Sequence, residues 1–468
     1  MSNNPQTAST SESSSLKISF LGGTEMVTGA NFMLSETGPA GQKFLVDCGL
    51  IQGLKNDEKK NYEAFPYNPK EISALFITHA HLDHIGRIPK LVKDGYRGPI
   101  YSTPPTKDIT HISLEDSLAM LGREAQDHNQ EPLFSEADIK QAMSQWKTFD
   151  YHDPIKLGDF TVVFRDSGHI LGSAMVEFNY HQKKIVFTGD LGNSPSPLLP
   201  DTEVISDADY LVMESVYGDR NHEDRSERRQ RLEDVIEETM RRGGTLMIPA
   251  FSIERTQELL FEIENMMENS RIPLVPVFLD SPMAIAVTKV YKDYPEYFNK
   301  EATKIRLAGD GLFRFAQLHI TLTTPESKAI FETAPRKIII AGSGMSNGGR
   351  IIHHEKHYLP DPKSTLLLAG YQGIGTLGRI IQDGANPVKI MGEEVPVRAR
   401  MENIHGYSAH KDSDHLLEFV KGTADTVKKI FVCMGEPKAS LFLTQRIRDY
   451  LGLDAVVPKA GETIEIKI

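Results

Sequence analysis

Cysteine is nearly absent from this 468-residue chain, with Cys48 and Cys433 the only two. Each sits inside an apolar run, so a disulfide framework is excluded as the source of stability and a reducing, cytoplasmic compartment is expected. Long hydrophobic runs are missing as well. No stretch reaches the ~18 unbroken apolar residues of a membrane-spanning helix, so no membrane partner is expected. The first fifteen residues lack the apolar core of a signal peptide; rich in Ser, Thr and Asn, residues 1–15 read as a disordered tail. Positive charge is also in deficit, the formal net charge being −12. That argues against a protein that coats nucleic acid, because phosphate neutralisation needs clustered Lys and Arg. An enzyme that handles a single phosphate stays open, since a local basic groove or a bound metal attracts an anion to an acidic protein.

What is present is the composition of a soluble globular protein, 40% apolar and 25% charged, without repeats. Its length is too great for one ordinary core, so two or three packed units are expected. The recurring unit is a short apolar run that ends in a polar, glycine-containing turn. Runs of this kind precede His79, Asp166, Asp190, Glu214, Pro249, Asp280, Gly342, Gly370 and Met434. Such runs, rich in Ile, Val and Phe, predict buried strands, and in α/β sheets sites form beyond the carboxyl ends of strands. Residues 225–242 and 254–267 have apolar residues near helical spacing, the first stopped by Gly243 and Gly244. Strand and helix alternate after residue 211, which predicts a mostly parallel, doubly wound sheet there. Before it, strands follow one another closely, as in a sandwich with helices outside. No Pro/Ser linker marks the boundary, so the units are expected to be interleaved.

The strongest chemical signal is His79-Ala80-His81-Leu82-Asp83-His84. Three imidazoles and a carboxylate within six residues, directly after a strand, are the nitrogen and oxygen donors that a divalent metal such as zinc takes. His169 in SGHILGSA and Asp190 in FTGDLG are further strand-end residues able to complete such a site.

HAHLDH, the LVDCG segment around Asp47, GHILGSA and FTGDLG together resemble the successive motifs of the metallo-β-lactamase superfamily. The resemblance implies one zinc ion held by His79, His81 and His169 and a second held by Asp83 and His84. Asp190 then bridges the two, and Asp47 orients a ligand from behind. Two such ions activate water and clamp a phosphate during in-line attack.

Later motifs narrow the resemblance to the β-CASP nucleases. Glu214 in MESVYGDRNH and His410 in GYSAHKD match two of that branch's acidic and histidine motifs. PAFSIERTQE, DSPMA, AGSGMSNGGR and GYQGIGTLGR match its inserted domain. The implied fold is α/β: an αββα metallo-β-lactamase sandwich over residues 16–211, a β-CASP domain over 212–391, and a completing segment over 392–468. The implied catalytic set is Asp83, His410 and Glu214. Phosphodiester cleavage expels an alkoxide that an imidazole near neutral pKa can protonate, and Glu214 can orient that ring. Backbone N–H groups of Ser343, Gly344, Gly348 and Gly349, followed by Arg350, can form an anion nest, or simply a tight strand-to-helix connection. Ser281 joins them as a substrate-binding candidate. Arg255 and Arg379 are candidates for a phosphate clamp or for domain-interface ion pairs. His353, His354 and His357 follow at helical spacing and are read as helix-face residues lining the cleft.

One position departs from the pattern. RNA-cutting members of the branch usually carry a histidine where this chain has Met434, in FVCMGEP. A thioether is a poor zinc ligand, so the second ion is expected to bind more weakly. DNA-processing members resemble this chain in having an apolar residue there. The remaining motifs resemble the RNA branch more closely, so the expectation is a zinc-dependent ribonuclease acting on single-stranded RNA. It is read as endonucleolytic, with exonucleolytic trimming as a second mode and a homodimer as the assembly. A DNA nuclease and an inactive RNA-processing scaffold are the alternatives.

Overall fold

The computed structural model describes residues 15–467, apart from 39–40, 54, 128–130, 223–224, 309–310 and 374. Residues 1–14 of the expected disordered tail lie outside the described residues, whereas Ser15 is hydrogen-bonded to Thr37.

Two seven-stranded sheets stack face to face. The first begins with the antiparallel strands Leu16–Gly22, Asn31–Glu36 and Lys43–Val46. It continues in parallel through Ala74–Phe76, Ile100–Ser102 and Trp146–Thr148. The second runs from Ile155–Leu157 through Phe160–Asp166, Ala174–Tyr180 and Lys183–Phe187 to Tyr210–Met213. Aromatic rings fill the space between them. Phe44 meets Phe160 at 5.0 Å and Phe178 at 5.8 Å, and Phe76 meets Phe178 at 5.1 Å. Helices cover both outer faces: Ile88–Lys93 packs on the first sheet, Ser413–Lys421 and Pro437–Leu451 on the second. The result is a four-layer αββα sandwich.

A third, all-parallel sheet carries the strands Leu318–Ile320, Val277–Leu279, Lys337–Ala341, Thr245–Pro249, Thr365–Leu368 and Arg400–Asn403, in that spatial order. Its central strands are buried on both faces, so Lys337–Ala341 and Thr245–Pro249 read as unbroken apolar runs rather than alternating ones. Each of the nine apolar runs picked out by sequence lies in a strand, and residues 225–242 and 255–268 are helical. The antiparallel strands at the start of the chain and the long helix Pro104–Asp127 carried too little periodic signal to be read.

The chain returns to the sandwich after the third sheet. Lys429–Val432 lies beside Tyr210–Met213, and Thr463–Ile466 pairs with the first strand. The two bodies share one core, which runs from Ala80, Ile170 and Leu171 beside the histidines to Ile253 and Tyr291 of the insert and to Tyr407 beyond it. Polar contacts reinforce it: Tyr294 donates to Asp108 at 2.7 Å and Tyr297 to Asp150 at 2.8 Å. The C-terminal ends of the third sheet's strands are thereby placed toward the metal-site loops. No helix among the described residues is long and apolar enough to cross a membrane.

Phe44 is 1% exposed and touches rings from both sheets of the sandwich. Phe44→Ala should therefore cost about 3–5 kcal/mol, read as a lower denaturant midpoint in chemical unfolding. A cost near zero would show that this ring does not close the two sheets together.

Candidate metal centre

Five residues separate the strand Ala74–Phe76 from the helix Leu82–Ile85, and they include Thr78, His79 and His81. This loop is clamped against the one that follows the strand Lys43–Val46. Gly49 makes the approach possible: a Cβ there would stand 1.5 Å from the Asp83 carbonyl oxygen. Asp47, held at φ +61°, accepts from the Thr78 backbone N–H and hydroxyl at 2.8 Å each, and pairs with His84 Nδ1 at 2.7 Å.

The partners of the rings define their tautomers. A carboxylate only accepts, so His84 Nδ1 carries the hydrogen; so does His169 Nδ1, which faces the Ala409 carbonyl at 3.2 Å. The Thr78 hydroxyl, already donating to Asp47, accepts from His79 Nδ1 at 3.0 Å. All three imidazoles thus turn an Nε2 lone pair inward, the form in which histidine binds a metal.

Those inward atoms converge. His81 Nδ1 lies 3.1 Å from His79 Nε2 and 3.2 Å from His169 Nε2. Asp190 Oδ2 lies 3.4 Å from His79 Nε2 and 3.5 Å from His169 Nε2. Two ligands on a tetrahedral ion with bonds of ~2.0–2.1 Å stand roughly 3.3 Å apart, so these four donors fit a metal. The other Asp190 oxygen, Oδ1, lies 3.4 Å from His84 Nε2, which is 3.8 Å from Asp83 Oδ2. His84 Nε2 and Asp190 Oδ1 are both buried without a hydrogen-bond partner. Two orphaned acceptors aimed at each other across a short gap require a cation or a proton between them. Burial, with help from neighbouring imidazoles, holds His81 and His169 well below the usual histidine pKa. Burial alone would also lower His84, but Asp190, Asp47 and Asp83 raise it well above that range.

Glu214 follows the strand Tyr210–Met213, and its Oε1 accepts from Leu191 N at 2.6 Å. The same oxygen lies 3.3 Å from His410 Nδ1, and Asp190 Oδ2 lies 3.9 Å from it. Burial would depress the His410 pKa, but Glu214 and Asp190 outweigh it and raise it to about 9. His410 reaches this place from far along the chain because its loop is laced to the Asp190 loop. Lys411 N donates to Leu191 O and Asn193 N to Ala409 O, at 2.9 and 2.8 Å. Gly192 also lets the Asp190 loop close on the His169 loop, since a Cβ there would meet the Gly168 carbonyl oxygen at 1.8 Å.

The remaining candidates are more dispersed. Met434, 3% exposed, sits in the aromatic core, and its sulfur crowds Gly23 beside the Phe32 ring. Ser281 caps the helix Pro282–Asp293 and lies 3.3 Å from Ser252 Oγ. In the glycine loop, Ser343 N donates to Gly348 O and Ser343 Oγ accepts from Asn347 N, at 3.1 and 3.0 Å, which closes the turn.

The arginines have protein partners. Arg350 donates to Asp280, Thr321 O and Leu322 O at 2.7–2.9 Å. Arg255 is buried, donates to Ala369 O and stands over the Tyr407 ring. Arg379 pairs with Asp383 on the surface at 2.9 Å. Of the three later histidines, the structure places His354 inside, 2.7 Å from Asp280, and His353 and His357 on the surface. Burial would raise Asp280, but hydrogen bonds from His354, Ser327, Thr321 and Arg350 hold it well below the usual range. Sequence reading missed Thr78 and Ser173. The Ser173 hydroxyl accepts from His169 N at 3.0 Å. The available signal was a hydroxyl residue close by in sequence, Thr78 directly before His79 and Ser173 four residues after His169.

Comparison with known proteins agrees with this geometry. Residues 39–214 match a metallo-β-lactamase superfamily domain, 256–381 a Beta-Casp domain, and 394–458 a Zn-dependent metallo-hydrolase RNA specificity domain. Ribonuclease TTHA0252 of Thermus thermophilus is 38% identical over 96% of this chain and all of its own length. Transcription termination factor FttA of Pyrococcus abyssi is 33% identical over 97% of this chain and 72% of its own. A crystal structure of a protein of unknown function from Enterococcus faecalis shares the fold at a TM-score of 0.55 and 14% identity, covering 97% of this chain and 100% of that one.

His81→Ala takes one donor from the four-ligand group and none from the core. Metal content measured by atomic emission should fall while far-ultraviolet circular dichroism stays unchanged. Full metal occupancy in that variant would sink the assignment of His81 as a ligand.

Proposed function

Since the chain belongs to the β-CASP nucleases of the metallo-β-lactamase superfamily, we propose that it is a zinc-dependent ribonuclease that cuts single-stranded RNA, chiefly as an endonuclease. The observation that carries this reading is the convergence of six donors on two adjoining positions, with the His410–Glu214 pair beside them. His79, His81, His169 and Asp190 would hold one zinc ion; Asp83, His84 and Asp190 would hold a second. Bound there, zinc supplies Lewis acidity that activates water and neutralises charge building on the phosphate. That neutralisation matters on a chain of net charge −12, where bulk electrostatics repel a polyanion.

The protein's own groups do the rest. Asp47 and Thr78 hold the imidazoles in their donor tautomers, so no reorganisation is needed as substrate arrives. Glu214 engages His410 Nδ1 and leaves Nε2 to face the reacting phosphodiester. Glu214 favours the protonated form of His410, which can then deliver a proton to the departing oxygen. Loss of function in favour of a scaffold is disfavoured, because a scaffold has no use for a complete donor set with oriented tautomers. DNA as substrate is the second reading, and Met434 is the observation that favours it.

Matched end-labelled RNA and DNA of one sequence, differing in the 2′-hydroxyl, separate these readings. RNA should be cut internally and DNA spared; the reverse result assigns the enzyme to DNA.

His410→Ala should slow RNA cleavage about 10²–10⁴-fold at neutral pH. The loss should shrink on a nitrophenyl phosphodiester, whose leaving group needs no proton. Equal losses on both substrates would remove His410 from the role of general acid.

Graded chelation should strip metal in two steps. The Asp83–His84 side offers one imidazole and the other side three, so the former should empty first, as read by titration with a chromogenic chelator. A single step would count against two unequal sites.

A further inference from the structure

Five large aromatic side chains are exposed among the described residues: Tyr62, Phe442 and Tyr450, and Phe251 and Tyr371 at 45% and 39%. One exposed ring needs no explanation. Phe251 and Tyr371, however, stand on neighbouring strand ends of one sheet. Phe251 follows Thr245–Pro249 and Tyr371 follows Thr365–Leu368, and the two strands run in parallel side by side, about 4.8 Å apart. On the Phe251 side the next strand end is Lys337–Ala341, which opens into the glycine loop. On the Tyr371 side the next is Arg400–Asn403, whose chain continues to His410. The two rings therefore occupy the stretch of rim between the glycine loop and the reacting centre.

Local contacts hold them there. The Phe251 ring lies against Gly344, where an added Cβ would stand 2.7 Å from it. Gln372, next to Tyr371, donates to the Gly344 carbonyl at 3.1 Å. The Phe251 carbonyl accepts from the Thr256 backbone N–H and hydroxyl, at 3.3 and 2.7 Å. Tyr371 is close enough to Tyr217 and Arg220 to couple electrostatically to both. The Tyr217 ring in turn lies 6.2 Å from that of His410, with the Arg220 guanidinium 5.7 Å from its centroid.

We infer that Phe251 and Tyr371 form a stacking subsite for unpaired nucleobases of the substrate strand beside the scissile phosphate. The inference rests on the reading of the protein as an RNA-cutting enzyme. A π-face accepts any base, so the subsite favours single strands over duplex without selecting sequence. It also explains why these rings are kept half-exposed and anchored. A pre-positioned ring loses little freedom when a base settles on it.

The test uses the metal-replete full chain and a set of single-stranded RNAs in which one abasic nucleotide is walked along the sequence around the cut. Phe251→Ala should raise KM for intact RNA roughly 5- to 100-fold, with a smaller change in kcat. Phe251→Trp should restore the wild-type value. One abasic position should raise KM for the wild type and abolish the difference between wild type and Phe251→Ala. A penalty equal at every abasic position, an unchanged KM, or a Trp variant as impaired as Ala would overturn the subsite. Should Phe251→Ala fail to melt cooperatively, Tyr371→Ala with Tyr371→Phe as its control gives the same reading independently. If the wild type neither binds nor cuts RNA, the ribonuclease reading falls and the subsite with it. RNA cleavage with no position-dependent penalty sinks the subsite alone.

Discussion

A single buried carboxylate, Asp190, constrains everything around it. One of its oxygens faces His79 and His169, the other faces His84, and His410 approaches from a third side. A carboxylate 2% exposed and surrounded by imidazoles is tolerable only if positive charge stands beside it. The fold supplies the geometry for that charge by tying the far nitrogen of each inner ring to Asp47, Thr78 or Ala409. The site is thus prepared for cations before any arrive, and its ligand loops rest on strand ends that cannot easily shift.

Bringing those groups together requires chain segments hundreds of residues apart to interlock. The Asp190 loop is laced to the His410 loop through two backbone hydrogen bonds, and the glycine at position 192 lets it lie against the His169 loop as well. The inserted sheet is carried on the same lacing, because its last strand leads directly into the His405–Tyr407 turn before His410. Its strand ends therefore open onto the metal-site loops, and the buried Asp280–His354–Arg350 network braces the glycine loop from beneath. Arg350 serves this bracing, Arg255 and Arg379 take other protein partners, and exposed aromatic rings occupy the rim. On an acidic protein the proposed division makes physical sense: cations at the centre would attract phosphate, and π-faces would retain the bases without adding net charge.

The sequence by itself determined the strands, the alternation that makes the third sheet parallel, and the candidate residues His79, His81, Asp83, His84, His169 and Asp190 that the structure brings together. Apolar runs buried on both faces are legible without knowing their neighbours, and six residues of HAHLDH have few uses other than binding metal. Only the tertiary structure decided where Met434 packs, which partners the arginines take, and that Thr78 sets the tautomer of His79. An arginine beside a glycine-rich loop looks the same in sequence whether it meets a phosphate or an aspartate 70 residues away. Likewise Phe251 and Tyr371 are 120 residues apart and become neighbours only because their strands pair. Strand order is set by long-range packing and pairing, which no local pattern encodes. The chemistry of each group was therefore written locally, and its partner was chosen by the fold.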